Sequence, residues 1–196
     1  MADERTLRFY ADNAVRYATH LTEPTGPELR AFLASLPAGA RILELGCGNG
    51  RDAAFMLAEG FDVEATDGSP ELAAQAQERL GRPVRVLRFE HLDAEAAYDG
   101  VWACASLLHA PAAGLPGILA RIHRALRPAG LFVACYKAGN GEGRDGFGRY
   151  FNYPEPEALL ADYRAAGWID PVLETRMGSG YDALPTQWLW VTARKP

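Results

Sequence analysis

Three glycines at every second position, in the stretch RILELGCGNG, directly follow a short apolar run. Gly46, Gly48 and Gly50 stand where a strand would end and a helix would begin. Glycine lets the chain turn tightly and lets a ligand approach the backbone closely. The spacing therefore predicts a first strand, a sharp turn and a helix, arranged to bind a nucleotide-type cofactor.

Strand and helix signals then alternate along the chain. The sequence predicts strands at residues 41–45, 61–66, 84–89, 98–106, 131–137, 168–176 and 186–194, and helices at residues 12–20, 28–35, 51–59, 70–80, 117–126 and 154–166. This order favours an α/β fold, a doubly wound and mostly parallel sheet with helices on both faces. The link MGSGYDALP is too short for a crossover helix, so the last two strands should form an antiparallel hairpin.

Length and composition set outer limits on the function. With 196 residues, one domain is expected, and the net charge of −5 argues against broad nucleic-acid binding. Cys47, Cys104 and Cys135 form no CxxC pair, which disfavours a disulfide framework and a zinc site. No apolar stretch reaches the roughly 18 residues of a membrane span, and the charged N-terminus lacks a signal-peptide core. We expect a cytoplasmic monomer or homodimer without membrane or nucleic-acid partners.

Three classes of ligand compete for the glycine turn. A phosphate-binding P-loop is rejected, because it needs a Gly-Lys-Ser/Thr ending and the turn continues as GNGRD. A dinucleotide fingerprint needs a third glycine where Arg51 stands, so an NAD(P)-binding oxidoreductase is the weaker alternative. S-adenosylmethionine has no phosphate and needs a carboxylate for its ribose. Asp67 at the end of the second strand can accept both hydroxyl protons of a vicinal diol. Its other interpretation is an N-cap of the next helix.

The segment ELGCGNG at residues 44–50, followed by Asp67, resembles motif I of the class I (Rossmann-like) methyltransferases. The stretches YDGVWACASLLHAP at 98–111 and ALRPAGLFVACYK at 125–137 are similar to further regions of that family, although Ala129 replaces its usual glycine. Within this family, the chain most resembles small methyltransferases of the tellurite-resistance type. The resemblance implies S-adenosylmethionine as the cofactor and a seven-stranded sheet in the order 3-2-1-4-5-7-6, with the last strand antiparallel.

The resemblance also assigns cofactor contacts to the carboxyl ends of the strands and to the N-terminal helix. The residues implied are Tyr10, Tyr17, Glu44, Gly46, Cys47, Gly48, Arg51, Asp67, Gly68, Ser69, Phe89, Glu90, His91, Ala103 and Cys104. Glu44 is expected to hold the turn through backbone N–H groups.

Several of these residues have a second interpretation. Arg51 could approach the cofactor carboxylate or lie solvated at the helix start, and Ser69 could border the adenine or only open its helix. Tyr10 and Tyr17 could enclose the sulfonium, whose charge aromatic faces attract, or pack as an ordinary amphipathic helix.

His109, in SLLHAP after the fourth strand, is the candidate general base, because an imidazole titrates near neutral pH. Its alternative is a structural histidine. Metal dependence is not expected, since Ala103, Cys104 and Ala105 occupy the position where metal-dependent relatives carry a carboxylate.

Two regions should select the substrate: an N-terminal helical cap at residues 1–36 and the Gly-rich stretch at 138–153, predicted to be a loop. Arg149 and Tyr153 are its candidate substrate contacts, since a guanidinium holds acidic groups well. The sequence thus predicts methyl transfer from S-adenosylmethionine to a small molecule. A non-catalytic S-adenosylmethionine-binding module is a further alternative, because binding motifs do not report turnover.

Overall fold

The computed structural model describes residues 3–20 and 22–196. Residues 1, 2 and 21, which belong to the predicted 1–36 cap, lie outside the described residues. The strands are β1 (Arg41–Leu45), β2 (Asp62–Asp67), β3 (Arg85–Val86), β4 (Tyr98–Ala103), β5 (Leu126–Lys137), β6 (Gly141–Arg144), β7 (Tyr150–Tyr153), β8 (Ile169–Ser179) and β9 (Pro185–Arg194). The helices are α1 (Glu4–Asp12), α2 (Ala14–His20), α3 (Pro27–Ala34), α4 (Arg51–Ala58), α5 (Pro70–Leu80), α6 (Leu115–Ala125) and α7 (Pro156–Ala165).

Seven strands form one sheet in the order β3-β2-β1-β4-β5-β9-β8. The strands from β3 to β5 are parallel, and β9 is antiparallel to both of its neighbours. This arrangement confirms the predicted fold class and the predicted strand order, with β8 and β9 as the sixth and seventh strands. The order reverses between β1 and β4, and ligands bind at the carboxyl edge of such a switch point.

The alternation of side chains along β4 shows why both faces of the sheet are covered. Val101 and Trp102 are both fully buried, one in each of the two hydrophobic clusters. The Val101 cluster includes Ile122 of α6, and the Trp102 cluster includes Met56 of α4. Each large apolar side chain buried in this way contributes about 1.5–3 kcal/mol to the free energy of folding.

The third strand and the first helix differ from their predicted forms. The third strand is limited to Arg85–Val86, and Phe89–His91 forms a short 3₁₀ helix instead. The predicted helix at 12–20 corresponds to α2, and a second helix that was not predicted, α1, precedes it and ends at the C-cap Asn13. Asp3 accepts the Thr6 N–H at 2.8 Å and so starts α1 earlier than the apolar periodicity indicated.

The Gly-rich stretch at 138–153 was predicted to be a loop and is a β-hairpin. Strands β6 and β7 pair antiparallel, with Gly141 opposite Tyr153 and Arg144 opposite Tyr150. The hairpin lies against α1, where the Tyr150 N–H donates to Thr6 Oγ1 at 2.7 Å and Arg144 forms an ion pair with Asp3 at 2.7 Å. These contacts to a distant segment stabilise pairing that the glycines alone would weaken.

Candidate cofactor and acceptor site

Two cavities, found among residues 3–20 and 22–196, lie side by side at the carboxyl edge of the parallel strands. The larger has a volume of about 700 Å³ and the smaller about 80 Å³. Both are lined by Tyr10, Tyr17, Gly46, Gly48, Ala105 and His109. The glycine turn, the N-terminal helices and the segment after β4 therefore form a common wall between the two spaces.

The glycine turn adopts a backbone that side chains rarely tolerate. Gly46 has φ of +76° and Gly48 has φ of +57°. A Cβ on Gly46 would come within 2.5 Å of Ser106 Cβ. Ser106 Oγ in turn donates to the carbonyl of Leu45 at 2.6 Å, so the turn and the post-β4 segment are tied together.

The N–H groups of the turn are held by the end of β2. Gly46 and Cys47 donate to the Thr66 carbonyl at 2.9 and 2.8 Å, and Gly48 donates to Asp67 Oδ2 at 2.9 Å. Thr66 and Asp67, rather than Glu44, therefore hold these groups, which corrects the prediction for Glu44.

Asp67 lies in the wall of the smaller cavity. Besides the Gly48 N–H, its carboxylate accepts the Ser69 N–H at 2.8 Å. Burial raises the pKa of Asp67 to about 6, and the backbone hydrogen bonds oppose that rise. The N-cap of α5 is Ser69, whose Oγ accepts the Leu72 N–H at 3.3 Å. The alternative of Asp67 as an N-cap is thus wrong, and its carboxylate is left facing the cavity.

The remaining walls of the smaller cavity are mostly apolar. Gly68, Leu72, Leu87 and Phe89 line it, a surface that suits a flat, weakly polar ring. Other predicted contacts lie outside the lining of both cavities, namely Ser69, Glu90, His91 and Ala103.

Charged side chains line the larger cavity beside the glycine turn. Glu44 is buried, and burial raises its pKa well above the usual range. Among residues 3–20 and 22–196, its Oε2 has no hydrogen-bond partner. Arg51 also lines this cavity and donates to Thr25 Oγ1 at 3.3 Å. Cys47 and Cys104 line the same end. Arg51 thus lines the cavity, and its contact with a cofactor carboxylate stays a prediction.

Asp52 is a site residue that the sequence analysis missed. It is buried, lines the larger cavity, and accepts the Thr25 N–H at 2.7 Å and the Trp102 indole N–H at 3.0 Å. It therefore anchors the segment before α3 to the core. Its position in the first turn of the helix that follows the glycine turn was the available signal.

His109 and Tyr10 meet in the common wall. Nδ1 of His109 lies 2.6 Å from the Tyr150 carbonyl, which can only accept, so Nδ1 carries the proton. Nε2 is then the acceptor for the Tyr10 hydroxyl, 2.8 Å away. The pKa of His109 is lowered to about 4, chiefly by burial and to a smaller extent by the neighbouring cations Arg149 and Lys137. The imidazole is therefore neutral at physiological pH and is a weak base.

Arg149 is almost fully buried and lies among five aromatic rings. Its guanidinium forms an ion pair with Asp145 at 2.7 Å and donates to Tyr10 Oη at 3.2 Å. It lines the larger cavity, as predicted for a substrate contact, but its N–H groups already have these partners. Tyr153 does not line either cavity and stacks on Phe151, with 5.4 Å between ring centroids.

The outer part of the larger cavity contains residues without a sequence-based prediction. Lys137 ends β5, and Trp188 and Trp190 of β9 pair with β5 beside it. Tyr181, between β8 and β9, also lines the cavity and stacks on Tyr17 with 5.4 Å between ring centroids. The rule that ligands lie at carboxyl ends of strands could have identified Lys137, because it is the last residue of β5.

Neither metal-binding nor membrane-spanning features stand out in the part of the chain that the structure describes. Within 3–20 and 22–196, no three His, Cys, Asp or Glu side chains come together as metal ligands. In the same ranges, no helix has both the length and the apolar character needed to cross a bilayer.

Comparison with known proteins links this geometry to a family. Residues 42–130 match the family described as a methyltransferase domain. A similar solved structure is the 1,6-didemethyltoxoflavin-N1-methyltransferase of Burkholderia thailandensis, which holds 1,6-didemethyltoxoflavin and S-adenosylhomocysteine. It is 28% identical with a TM-score of 0.78, and the match covers 97% of this chain and 87% of that one.

Two curated relatives match shorter segments. A S-adenosyl-L-methionine-dependent Diels-Alderase of Talaromyces variabilis is 36% identical over 116 residues, which cover 54% of this chain and 39% of the relative. Hemagglutinin 1 of Eikenella corrodens is 34% identical over 98 residues, which cover 47% of this chain and 33% of the relative. The matches thus span well under half the length of these two proteins.

Proposed function

Since the chain carries a methyltransferase domain within the fold of the class I, S-adenosylmethionine-dependent methyltransferases, we propose that it transfers a methyl group from S-adenosylmethionine to a small molecule. The observation that carries the proposal is the common wall of the two cavities. A cofactor held along the glycine turn would reach both spaces at Tyr10, Tyr17 and His109, and the larger space would leave room for an acceptor.

The donor set fits this cofactor. Asp67 offers a carboxylate to ribose hydroxyls, and the apolar side chains around Phe89 offer walls for a base. Glu44 has a buried oxygen without a hydrogen-bond partner in the described part of the chain, which suits an ammonium group, and Arg51 suits a carboxylate. When bound, S-adenosylmethionine supplies an electrophilic methyl group on a sulfonium.

The protein's own residues would align the methyl acceptor with the cofactor and control the removal of the acceptor's proton. The faces of Tyr10 and Tyr17 stabilise positive charge beside the turn, and their rings keep water from the common wall. The Tyr10 hydroxyl occupies His109 Nε2 through a hydrogen bond. Nε2 can take a proton from the methyl acceptor only after this hydrogen bond breaks. Because the histidine is a weak base, proximity and orientation supply most of the rate.

Calorimetric titration tests the cofactor. We expect S-adenosylhomocysteine to bind and NADH not to bind, because Arg51 occupies the position of the third glycine of the dinucleotide fingerprint. Binding of NADH without binding of S-adenosylhomocysteine would overturn the proposal in favour of an oxidoreductase.

A second experiment tests turnover. Methyl transfer is followed with labelled S-adenosylmethionine over a panel of thiols, amines, phenols, carboxylates and oxyanions. Failure of every acceptor while the cofactor binds would favour a binding module, or a cofactor-dependent reaction without methyl transfer such as that of the Talaromyces relative.

The wider predictions from the sequence accompany this proposal. We propose a small-molecule acceptor, a single domain over residues 1–196, no nucleic-acid partner, a monomer or homodimer and a cytoplasmic location. His109 as the catalytic residue, and Arg149 and Tyr153 as substrate contacts, remain predictions.

A further inference from the structure

Lys137 is a buried cation of the larger cavity to which the proposed cofactor contacts assign no role. It is 7% exposed and lines that cavity. Asp182 forms a long ion pair with it, 3.7 Å from Oδ2 to Nζ, without a hydrogen bond. Within residues 3–20 and 22–196, Nζ has no hydrogen-bond acceptor. An ammonium removed from water in this way favours an anionic partner.

The other cations of the cavity are already engaged. Three arginines line it and donate hydrogen bonds to other side chains: Arg51 to Thr25, Arg149 to Asp145 and Tyr10, and Arg176 to Glu174. Lys137 differs from these arginines, because in the described part of the chain its three N–H donors form no hydrogen bond and its ion pair with Asp182 is long.

Flat aromatic walls flank the ammonium. Nζ lies 4.9 Å from the centroid of the Phe151 ring and 5.8 Å from that of Trp188. Trp190 and Tyr181 extend the same lining. A slot between aromatic faces with one cation at its base fits a planar, conjugated molecule better than a flexible chain.

The slot connects directly to the common wall. The Phe151 ring lies 4.5 Å from the His109 ring, centroid to centroid, so the ammonium and the imidazole contact the same aromatic side chain. His109 is a weak base, and Lys137 is one of the cations that make it so. A site with little capacity to remove a proton favours an acceptor that arrives as its anion.

We propose that the methyl acceptor is a planar, conjugated anion whose anionic group binds the Lys137 ammonium between Phe151 and Trp188. The inference rests on the proposed function and specifies its substrate class. A bicyclic aromatic carboxylate is the simplest molecule of this kind.

A pair of matched probes tests the charge. 3-Hydroxy-2-naphthoate and its neutral amide, 3-hydroxy-2-naphthamide, are titrated calorimetrically into the protein with and without saturating S-adenosylhomocysteine. We expect the carboxylate to bind about 10- to 100-fold more tightly than the amide, the usual effect of a hydrogen bond to a charged group. Equal affinities, or no binding of the carboxylate at millimolar concentration, would overturn the inference.

Matched variants test the residue. The chain has two lysines, and Lys195 donates to the Leu126 carbonyl at 2.8 Å, away from both cavities. We expect Lys137→Met to abolish the preference for the carboxylate, Lys137→Arg to restore part of it, and Lys195→Met to leave it unchanged. An unaltered preference in Lys137→Met would remove this lysine from the site.

Titration with S-adenosylhomocysteine distinguishes a failure of this inference from a failure of the proposed function on which it rests. Lys137→Met should still bind S-adenosylhomocysteine, which also shows that the variant folds. If no form of the protein binds it, the proposed function fails, and the titrations of the naphthoate alone still decide whether Lys137 binds an anion.

Discussion

The Tyr10 hydroxyl lies 2.8 Å from Nε2 of His109, across 99 positions of the chain. The hydrogen bond joins helix α1 to the segment after β4, and Arg149 donates to the same hydroxyl from the hairpin β6–β7. Three segments far apart in sequence therefore meet at one phenol oxygen. The contact closes the N-terminal helices over the common wall of the two cavities.

Replacing Tyr10 by Phe keeps the ring and removes the hydroxyl together with its hydrogen bonds to His109 and Arg149. We expect Tyr10→Phe to lower the free energy of unfolding by about 1 kcal/mol, as is usual for a lost buried hydrogen bond. Chemical denaturation provides the measurement. Tyr17→Phe is the control, because in the described part of the chain its hydroxyl forms no hydrogen bond while its ring lies 5.3 Å from that of Tyr10. Equal losses in the two variants would contradict the role assigned to the hydroxyl.

The lowered pKa of His109 predicts a pH dependence of stability. Burial lowers this pKa from 6.5 to about 4, so the unfolded chain binds a proton that the folded chain does not bind between these values. The histidine's contribution is thus complete above about pH 6.5 and is lost as the pH falls toward 4, by up to about 3 kcal/mol. Denaturation of His109→Phe over the same pH range isolates this contribution. A parallel pH dependence in the two proteins would count against it.

The raised pKa of Asp67 predicts that cofactor binding also weakens as the pH falls. Its pKa is raised to about 6 by burial, and only the carboxylate can accept from both ribose hydroxyls. We expect the affinity for S-adenosylhomocysteine to fall below about pH 6, and Asp67→Asn to abolish this dependence. Asp67→Ala should bind about 10- to 100-fold more weakly while the fold survives, as checked by circular dichroism. Unchanged affinity would place the cofactor elsewhere.

The glycine turn allows a test that separates backbone strain from steric fit. Gly46 and Gly60 both have positive φ, +76° and +87°, but a Cβ on Gly60 meets nothing within 4 Å. We expect Gly60→Ala to cost about 1–2 kcal/mol through strain alone. Gly46→Ala should cost more and should also weaken S-adenosylhomocysteine binding, because its Cβ would come within 2.5 Å of Ser106 Cβ. Similar losses of stability with intact binding would show that Ser106 moves aside.

The sheet was predictable because its signals are local. Each strand of the parallel part is a short apolar run bounded by turn residues, and the link after β8 is too short for a helix. The third strand was overextended, since only Arg85 and Val86 pair with β2. The hairpin at β6–β7 was missed because glycine weakens strand propensity, and its pairing depends on contacts with α1.

The residues of the candidate site likewise fall into those that the sequence predicted and those that only the structure revealed. Gly46, Gly48 and Asp67 could be predicted, because a turn backbone and a carboxylate at a strand end have local signatures. Asp52 and Lys137 lie at a helix start and a strand end, positions that mark them as candidates, but their burial depends on which segments cover them. Arg149 was predicted as a substrate contact, yet its partners Asp145 and Tyr10 became visible only in the folded chain.

The sequence by itself determined the order of elements, the conformation of the glycine turn and the class of cofactor, because φ preferences and apolar periodicity act over a few residues. The tertiary structure alone decided which charges stay available. It neutralised Arg149 with Asp145, held His109 neutral behind Tyr10, and left Lys137 between two aromatic rings. Burial and pairing create these differences, and both arise only when distant segments come into contact.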